Sequence, residues 1–184
     1  MGHRMRFRLN WEKAIETLVW VANERQGVDF FHIVKILYYA DKQHLQKYAR
    51  PILGDTYIKM EHGPVPSGIY DLLKKNPFLD PETLSAIAKG ITVDMEGDVP
   101  RVMALRKPNL DVFSGTDLTC LRESVEKYAN MSVSKLRRLT HQERAWVEAS
   151  PHGEMDYELM IDPDLPNRED LLADIRESAA YVVV

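Results

Sequence analysis

Between Asp29 and Pro51, apolar residues recur at helical spacing, and two polar side chains stand in the middle of the stripe. Phe30, Val34, Leu37, Asp41, His44 and Tyr48 advance by three and four, which places them on one face of an α-helix. Asp29 can cap the first turn and Pro51 bars further helix, so the spacing predicts a helix from Phe30 to about Ala49. Positions 41 and 44 are ones where a buried helix face ordinarily carries Leu or Met. An ionised carboxylate among apolar neighbours costs several kcal/mol unless donors surround it. Any fold for this chain must therefore bring hydrogen-bond donors onto that face.

The donors for Asp41 are expected from His44, His62 or backbone amides of the connection between Gly54 and Gly63. On that reading Asp41 and His44 are structural: they pin an irregular segment to the helix and so preorganise its surface for a partner. The sharper alternative is a metal centre of Asp41, His44, His62 and His141, binding zinc, manganese or iron and activating water for hydrolysis. Asp-x-x-His is a far less specific spacing than His-Glu-x-x-His, so a polar pair satisfied within the fold is the preferred reading. No Gly-rich phosphate loop, Gly-x-Ser-x-Gly elbow or Cys–His arrangement occurs in the chain.

The remaining chain reads as short elements with clear punctuation. Asn10 caps a first helix whose Ile15, Leu18, Val19 and Ala22 form a core stripe, and Gly27 suits its left-handed end. Ile52 to Asp55 is a turn, Tyr57 to Met60 a short strand or irregular segment, and His62-Gly63-Pro64-Val65-Pro66 non-helical, because each proline disfavours α geometry in its predecessor. Helices are expected from Ser67 to near Asn76, from Pro81 to Ala88, from Leu110 to Tyr128, and from Val133 to Leu139 after a Ser132 cap. Thr140 is read as the cap of a helix over His141 to Ala149, with Glu143 in the reciprocal position. Ile91 to Met95 and Val99 to Leu105 flank Glu96-Gly97-Asp98 as a hairpin whose Pro100 marks an edge strand, a surface open to strand addition. After a loop over 150–154 and an extended or turn-like Tyr157 to Ile161, Asn167 caps a last helix to Ala180, and Tyr181 to Val184 packs as a terminal strand. The class expected is α+β: a mainly helical single domain with a small antiparallel hairpin or sheet. It divides into a solvated N-terminal arm (1–9), a central unit (10–150) and a C-terminal extension (151–184) belonging to the same globule.

The chain's 184 residues suit one core, and its net charge of -4 gives no bulk electrostatic reason to expect nucleic acid. One cysteine, Cys120, excludes an intrachain disulfide and is expected as a small core residue. No apolar run approaches the ~20 residues of a membrane span, and the start lacks a signal-peptide pattern, so a cytoplasmic location and no membrane partner are expected. His3, His32 and His152 have no evident partner and read as surface residues. His141 is expected to pack on Trp146. Tyrosines cluster around the central motif, and Tyr38, Tyr48, Tyr57 and Tyr70 are candidate anchors for a protein partner, because Tyr offers large contact area with few rotors.

One stretch stops being generic. Lys35-Ile36-Leu37-Tyr38-Tyr39-Ala40-Asp41-Lys42-Gln43-His44-Leu45 resembles the Panacea (SocA-like) antitoxin signature K-[IL]-L-Y-[YF]-A-D-x-x-H-L. That family continues with G-R-P-I-x-G-D-x-Y and then G-P-V-P; here Ala49 to Tyr57 and Gly63 to Pro66 follow in order, with Ala49 where glycine is common. Leu139-Thr140-His141-Gln142-Glu143-Arg144-Ala145-Trp146 is similar to the closing L-[ST]-H-x-x-x-x-W element. The resemblance spans about residues 10–150 and carries over Tyr39, Asp41, His44, Gly54, Tyr57, His62, Gly63, Pro64, Pro66, His141 and Trp146 as structural motif positions. It implies a non-enzymatic, cofactor-free antitoxin that binds a toxin encoded by a neighbouring gene. In SocA-like members it further implies an adaptor role, delivering the toxin to an AAA+ protease. Related sequences include phage-associated proteins. The toxin's identity and the oligomeric state do not follow from the resemblance.

Overall fold

The computed structural model describes residues 5–181, and side chains as far as residue 177. Helix α1 (Trp11–Glu24) begins where the Asn10 side chain accepts from the Lys13 amide, and Leu18, Val19 and Ala22 are fully buried. Gly27 takes the left-handed φ of +74°, after which a two-residue strand β1 (Val28–Asp29) leads into α2 (Phe30–Tyr48), capped by Asp29. Ala49 ends α2 with φ +57°, a conformation glycine reaches without penalty. Strands β2 (Tyr57–Met60) and β3 (Gly63–Pro66) form an antiparallel hairpin, with Tyr57 opposite Pro66 and Met60 opposite Gly63.

Helices α3 (Ser67–Lys74) and α4 (Pro81–Gly90) follow, then strands β4 (Ile91–Asp94) and β5 (Arg101–Ala104). The second sheet is antiparallel in the order β1-β5-β4. The chain closes with α5 (Gly115–Tyr128), α6 (Val133–Thr140), α7 (Arg144–Glu148) and α8 (Arg168–Tyr181), and with 3-10 turns at Leu110–Val112 and Tyr157–Met160. The fold is α+β and mainly helical, with two small antiparallel sheets. No described helix is long and apolar enough to cross a membrane.

Helix α2 lies between two apolar clusters. One joins it to α1, α3, α5 and the three-stranded sheet, through residues such as Leu18, Ile36, Leu37, Ile69, Val102 and Leu121. The other lies on the face carrying Tyr38 and Leu45, and it is filled by Tyr57 and by Met155, Tyr157, Ile161, Leu171 and Ile175 from beyond residue 150. Cys120 is buried in the first cluster, and burial raises its thiol pKa.

Several expectations are corrected. Pro100 precedes β5, which is the central strand; β1 and β4 are the edges, and the Pro100 carbonyl accepts from the Phe30 amide. The helix expected from Leu110 starts only at Gly115, because Ser114 and Asp117 form a reciprocal capping box. Thr140 is the last residue of α6 rather than a cap, and Glu143 precedes α7 without a side-chain capping bond. Tyr157–Met160 is a 3-10 turn. His32 is no surface residue: its two ring nitrogens meet Asp29 Oδ2 and the Met131 carbonyl, each at 2.7 Å, and the Asp29 bond raises its pKa. The arm is not simply solvated either, since Met5 is buried and Phe7 packs edge-on against Tyr157, while Arg6 and Arg8 point outward. His3 and the three terminal valines lie outside the described residues, and Tyr181 is the last residue of α8.

Candidate functional site

Asp41 is fully buried in the centre of α2, and its carboxylate is satisfied entirely by the segment after the helix. Its Oδ1 accepts from the Ile52 and Leu53 amides at 2.8 and 3.0 Å, and its Oδ2 accepts from the Tyr57 hydroxyl at 2.9 Å. The donors are thus the amides just before Gly54 and a tyrosine just after it, rather than His44 or His62. Burial pushes the Asp41 carboxyl up to about 6 in spite of these three bonds. His44, one turn later, stitches different pieces together. Its Nδ1 lies 2.7 Å from the Arg50 carbonyl, which can only accept, so that nitrogen carries a proton. Its Nε2 lies 3.0 Å from Thr116 Oγ1 and 3.1 Å from Asp117 Oδ1. Burial alone would raise Asp117, but bonds from His44, Lys13 and the Ser114 amide hold it well below the ordinary carboxylate range. Asp41 therefore ties α2 to the connection that follows it, and His44 ties α2 to α5.

A third carboxylate completes the connection. Helix α3 begins after Pro66 with no side-chain cap of its own. Asp55, eleven residues upstream of that proline, accepts from the Gly68 and Ile69 amides at 2.9 and 2.8 Å and thus supplies the missing cap. Burial raises its pKa, against those same bonds. Its own carbonyl accepts from Tyr157 Oη at 2.6 Å, which fastens the C-terminal extension to the same point. Gly54 turns there with φ +70°, and a Cβ on it would meet Phe7 Cβ at 2.9 Å. Gly63 sits at φ +105°, where a Cβ would come 2.5 Å from Thr140 Oγ1, so backbone of the hairpin closes directly on α6.

Lys35 is the group at this corner that sequence reading passed over. It is almost fully buried, its ammonium donates to the Pro64 carbonyl at 2.8 Å, and no carboxylate pairs with it among the described residues. Loss of solvent lowers its pKa to about 7. Its position in the α2 motif was visible, but the apolar stripe gave no sign that a lysine would point inward. On the far side of the hairpin, His141 stacks on Trp146 with centroids 4.0 Å apart, and Trp146 Nε1 donates to the Met60 carbonyl at 3.0 Å. His141 Nε2 is buried without a partner in the described structure, and burial lowers the pKa of that ring.

The four residues of the metal alternative are not gathered. Asp41 and His44 are committed to separate partners, His62 is exposed, and His141 lies against Trp146. Among the described residues no group of three or more His, Cys, Asp or Glu side chains is placed to hold a metal ion. Tyr38 and Tyr57 are also corrected as anchors: both are buried, Tyr38 fully, and in the folded chain neither can touch a partner. Tyr39 stacks on Tyr128 at 4.3 Å and is half-buried. Tyr48 and Tyr70, 44% and 41% exposed, do reach the surface. Gly54, Tyr57, Gly63, Pro64 and Pro66 all belong to the pinned connection and hairpin.

Comparison with curated proteins and with solved structures returned no match. The family model described as antitoxin SocA-like, Panacea domain, matches residues 33–147, which runs from the first turns of α2 into α7 and takes in the bonds of the Asp41, His44 and Asp55 network except those from Lys13 and Tyr157. That match covers well over half of the chain, and the protein belongs to the SocA-like, Panacea domain antitoxin family.

Proposed function

We propose that this protein is an antitoxin that neutralises a cognate toxin, the product of a neighbouring gene, by direct protein–protein binding. The observation that carries the reading is where the family's polar residues go. Asp41, His44 and Asp55 spend their hydrogen-bonding capacity on backbone amides, a backbone carbonyl and internal side chains. That use fits a preorganised binding surface. Rigid presentation matters because each loop ordered on binding subtracts from affinity.

The test is growth rescue. The adjacent gene is induced in a growing bacterium with and without this chain, and complex formation is checked by pull-down. Rescue with a stable complex supports neutralisation by direct binding. Rescue in which the toxin vanishes, unless an AAA+ protease is deleted, assigns the adaptor mechanism. A harmless neighbour, or no rescue, removes the antitoxin reading.

A further inference from the structure

We infer that the toxin docks in the cleft between β4 and α3, adding an extended segment that is acidic and apolar to the free edge of β4. This inference rests on the antitoxin reading above. Sheet order leaves β4 paired on one side only. The Leu105 amide donates to the Gly90 carbonyl, and the Gly27 amide to the Val102 carbonyl. Bonded and non-bonded pairs alternate along an antiparallel ladder, so Thr92 and Asp94 face β5 while the N–H and C=O of Val93 point away from it. Among the described residues, no hydrogen bond outside the sheet engages either group.

Val93 also lines a groove of about 550 Å³, together with Phe31 of α2, Tyr70, Lys74 and Lys75 at the end of α3, and Met95 and Val99 of the β4–β5 turn. Tyr70, Met95 and Val99 are each more than two-fifths exposed, although they are the kind of side chain a fold ordinarily buries. A bare strand edge next to exposed apolar groups is an adhesive surface, which proteins cover unless it is used. The charge at the mouth says what it is used for. Lys74 and Lys75 are exposed, neither is in a salt bridge among the described residues, and Lys74 Nζ is held 5.8 Å from the Tyr70 ring centroid. Asp94 at the end of β4 and Glu96 and Asp98 of the adjoining turn are exposed but do not line the groove, whose charged lining side chains are the two lysines. A basic mouth on a chain of net charge -4 selects an acidic partner. Lys75 stands at φ +48°, a helix-end position where glycine is free of strain. The matching occupant supplies backbone to Val93, alternate apolar side chains to the groove and a carboxylate to the lysine pair.

Amide hydrogen exchange of the full chain, alone and with the product of the neighbouring gene, tests this, alongside affinities of three variants. In the free chain the Val93 amide is expected to exchange as an open one while that of Thr92 is protected; in the complex Val93 becomes protected. The double variant Lys74→Glu, Lys75→Glu should weaken binding roughly tenfold or more, and Val93→Pro should do so by removing the donor at the edge. Lys75→Gly separates contact from folding: it should raise the unfolding midpoint and still weaken binding. If the wild-type chain binds the toxin while Val93 exchange is unchanged and the variants bind like wild type, the interface is wrong and the antitoxin reading stands. If the wild-type chain neither binds nor rescues, both fall together.

Discussion

At the scale of single residues, the chain places charge where a core would ordinarily be apolar, and each case is decided by what surrounds it. Asp41→Ala would leave two buried amides without their acceptor and the Tyr57 hydroxyl with only its longer bond, 3.3 Å, to the Leu37 carbonyl. At ~1–3 kcal/mol for each stranded buried group the loss should be about 3 kcal/mol or more, lowering the unfolding midpoint by roughly 6–12 °C; a variant that melts like wild type would refute the structural role. Lys35 has the opposite character, because its bond to the Pro64 carbonyl and its place 5.2 Å from the Phe31 ring centroid do not offset desolvation. Its folded pKa of about 7 lies below the ordinary lysine value of 10.5, so between those pH values the unfolded chain binds a proton that the folded one has released. Stability from this group therefore rises with pH across that window, and the full penalty applies below it. Lys35→Met should accordingly stabilise the protein, by on the order of a few kcal/mol near neutral pH and less toward pH ~10. Urea midpoints of both proteins across that range check it: a difference independent of pH would mean that the ammonium is not desolvated as described.

At the scale of elements, the informative feature is a cap supplied from a distance. Pro66 cannot cap α3 through a side chain, and Asp55 reaches across the β2–β3 hairpin to do so. Hairpin and helix thus depend on one carboxylate. Asp55→Ala should cost about 2 kcal/mol, the upper range for a lost cap, and should accelerate amide exchange in the first turn of α3 before any other part of the chain. Uniform acceleration over all helices would instead mean that Asp55 acts only on global stability. The first turn of α5 contrasts with this, since its capping box Ser114-x-x-Asp117 is local and was readable in the sequence, though Leu110 drew the predicted boundary too early. Thr140 was misassigned for a related reason: a threonine followed three residues later by glutamate matches a capping box, yet here its hydroxyl donates back to the Arg137 carbonyl and ends a helix.

At the scale of the whole molecule, the two apolar clusters make residues beyond 150 part of the core rather than an appendage. Met155, Tyr157, Ile161, Leu171 and Ile175 cover Tyr38, Leu45 and Tyr57, and Tyr157 is hydrogen-bonded to the Asp55 carbonyl. A chain cut after Ser150 would expose that face of α2 to water. It should lose the sharp cooperative transition of the intact protein and bind a hydrophobic dye, which calorimetry and fluorescence would report. A truncated chain that melts cooperatively near the wild-type midpoint would show that the extension is dispensable.

The helix from Phe30 to Tyr48, the caps at Asn10 and Asp29, the non-helical Pro64 and Pro66 and the turn between β4 and β5 were all legible in the sequence, because each rests on spacing or on local backbone chemistry. That Asp41 needed donors from a later segment followed from burial alone. Which donors came, and that His44 turned instead toward Arg50, Thr116 and Asp117, depended on contacts between residues far apart in the chain. The same holds for the burial of Tyr38 and Tyr57, the inward turn of Lys35 and the exposure of Tyr70 in a groove shared with the edge strand β4. A local pattern specifies which way a backbone can run and which face of it is apolar. Only packing decides which face is covered, and by what, since that is settled by the summed burial and hydrogen bonding of the whole chain.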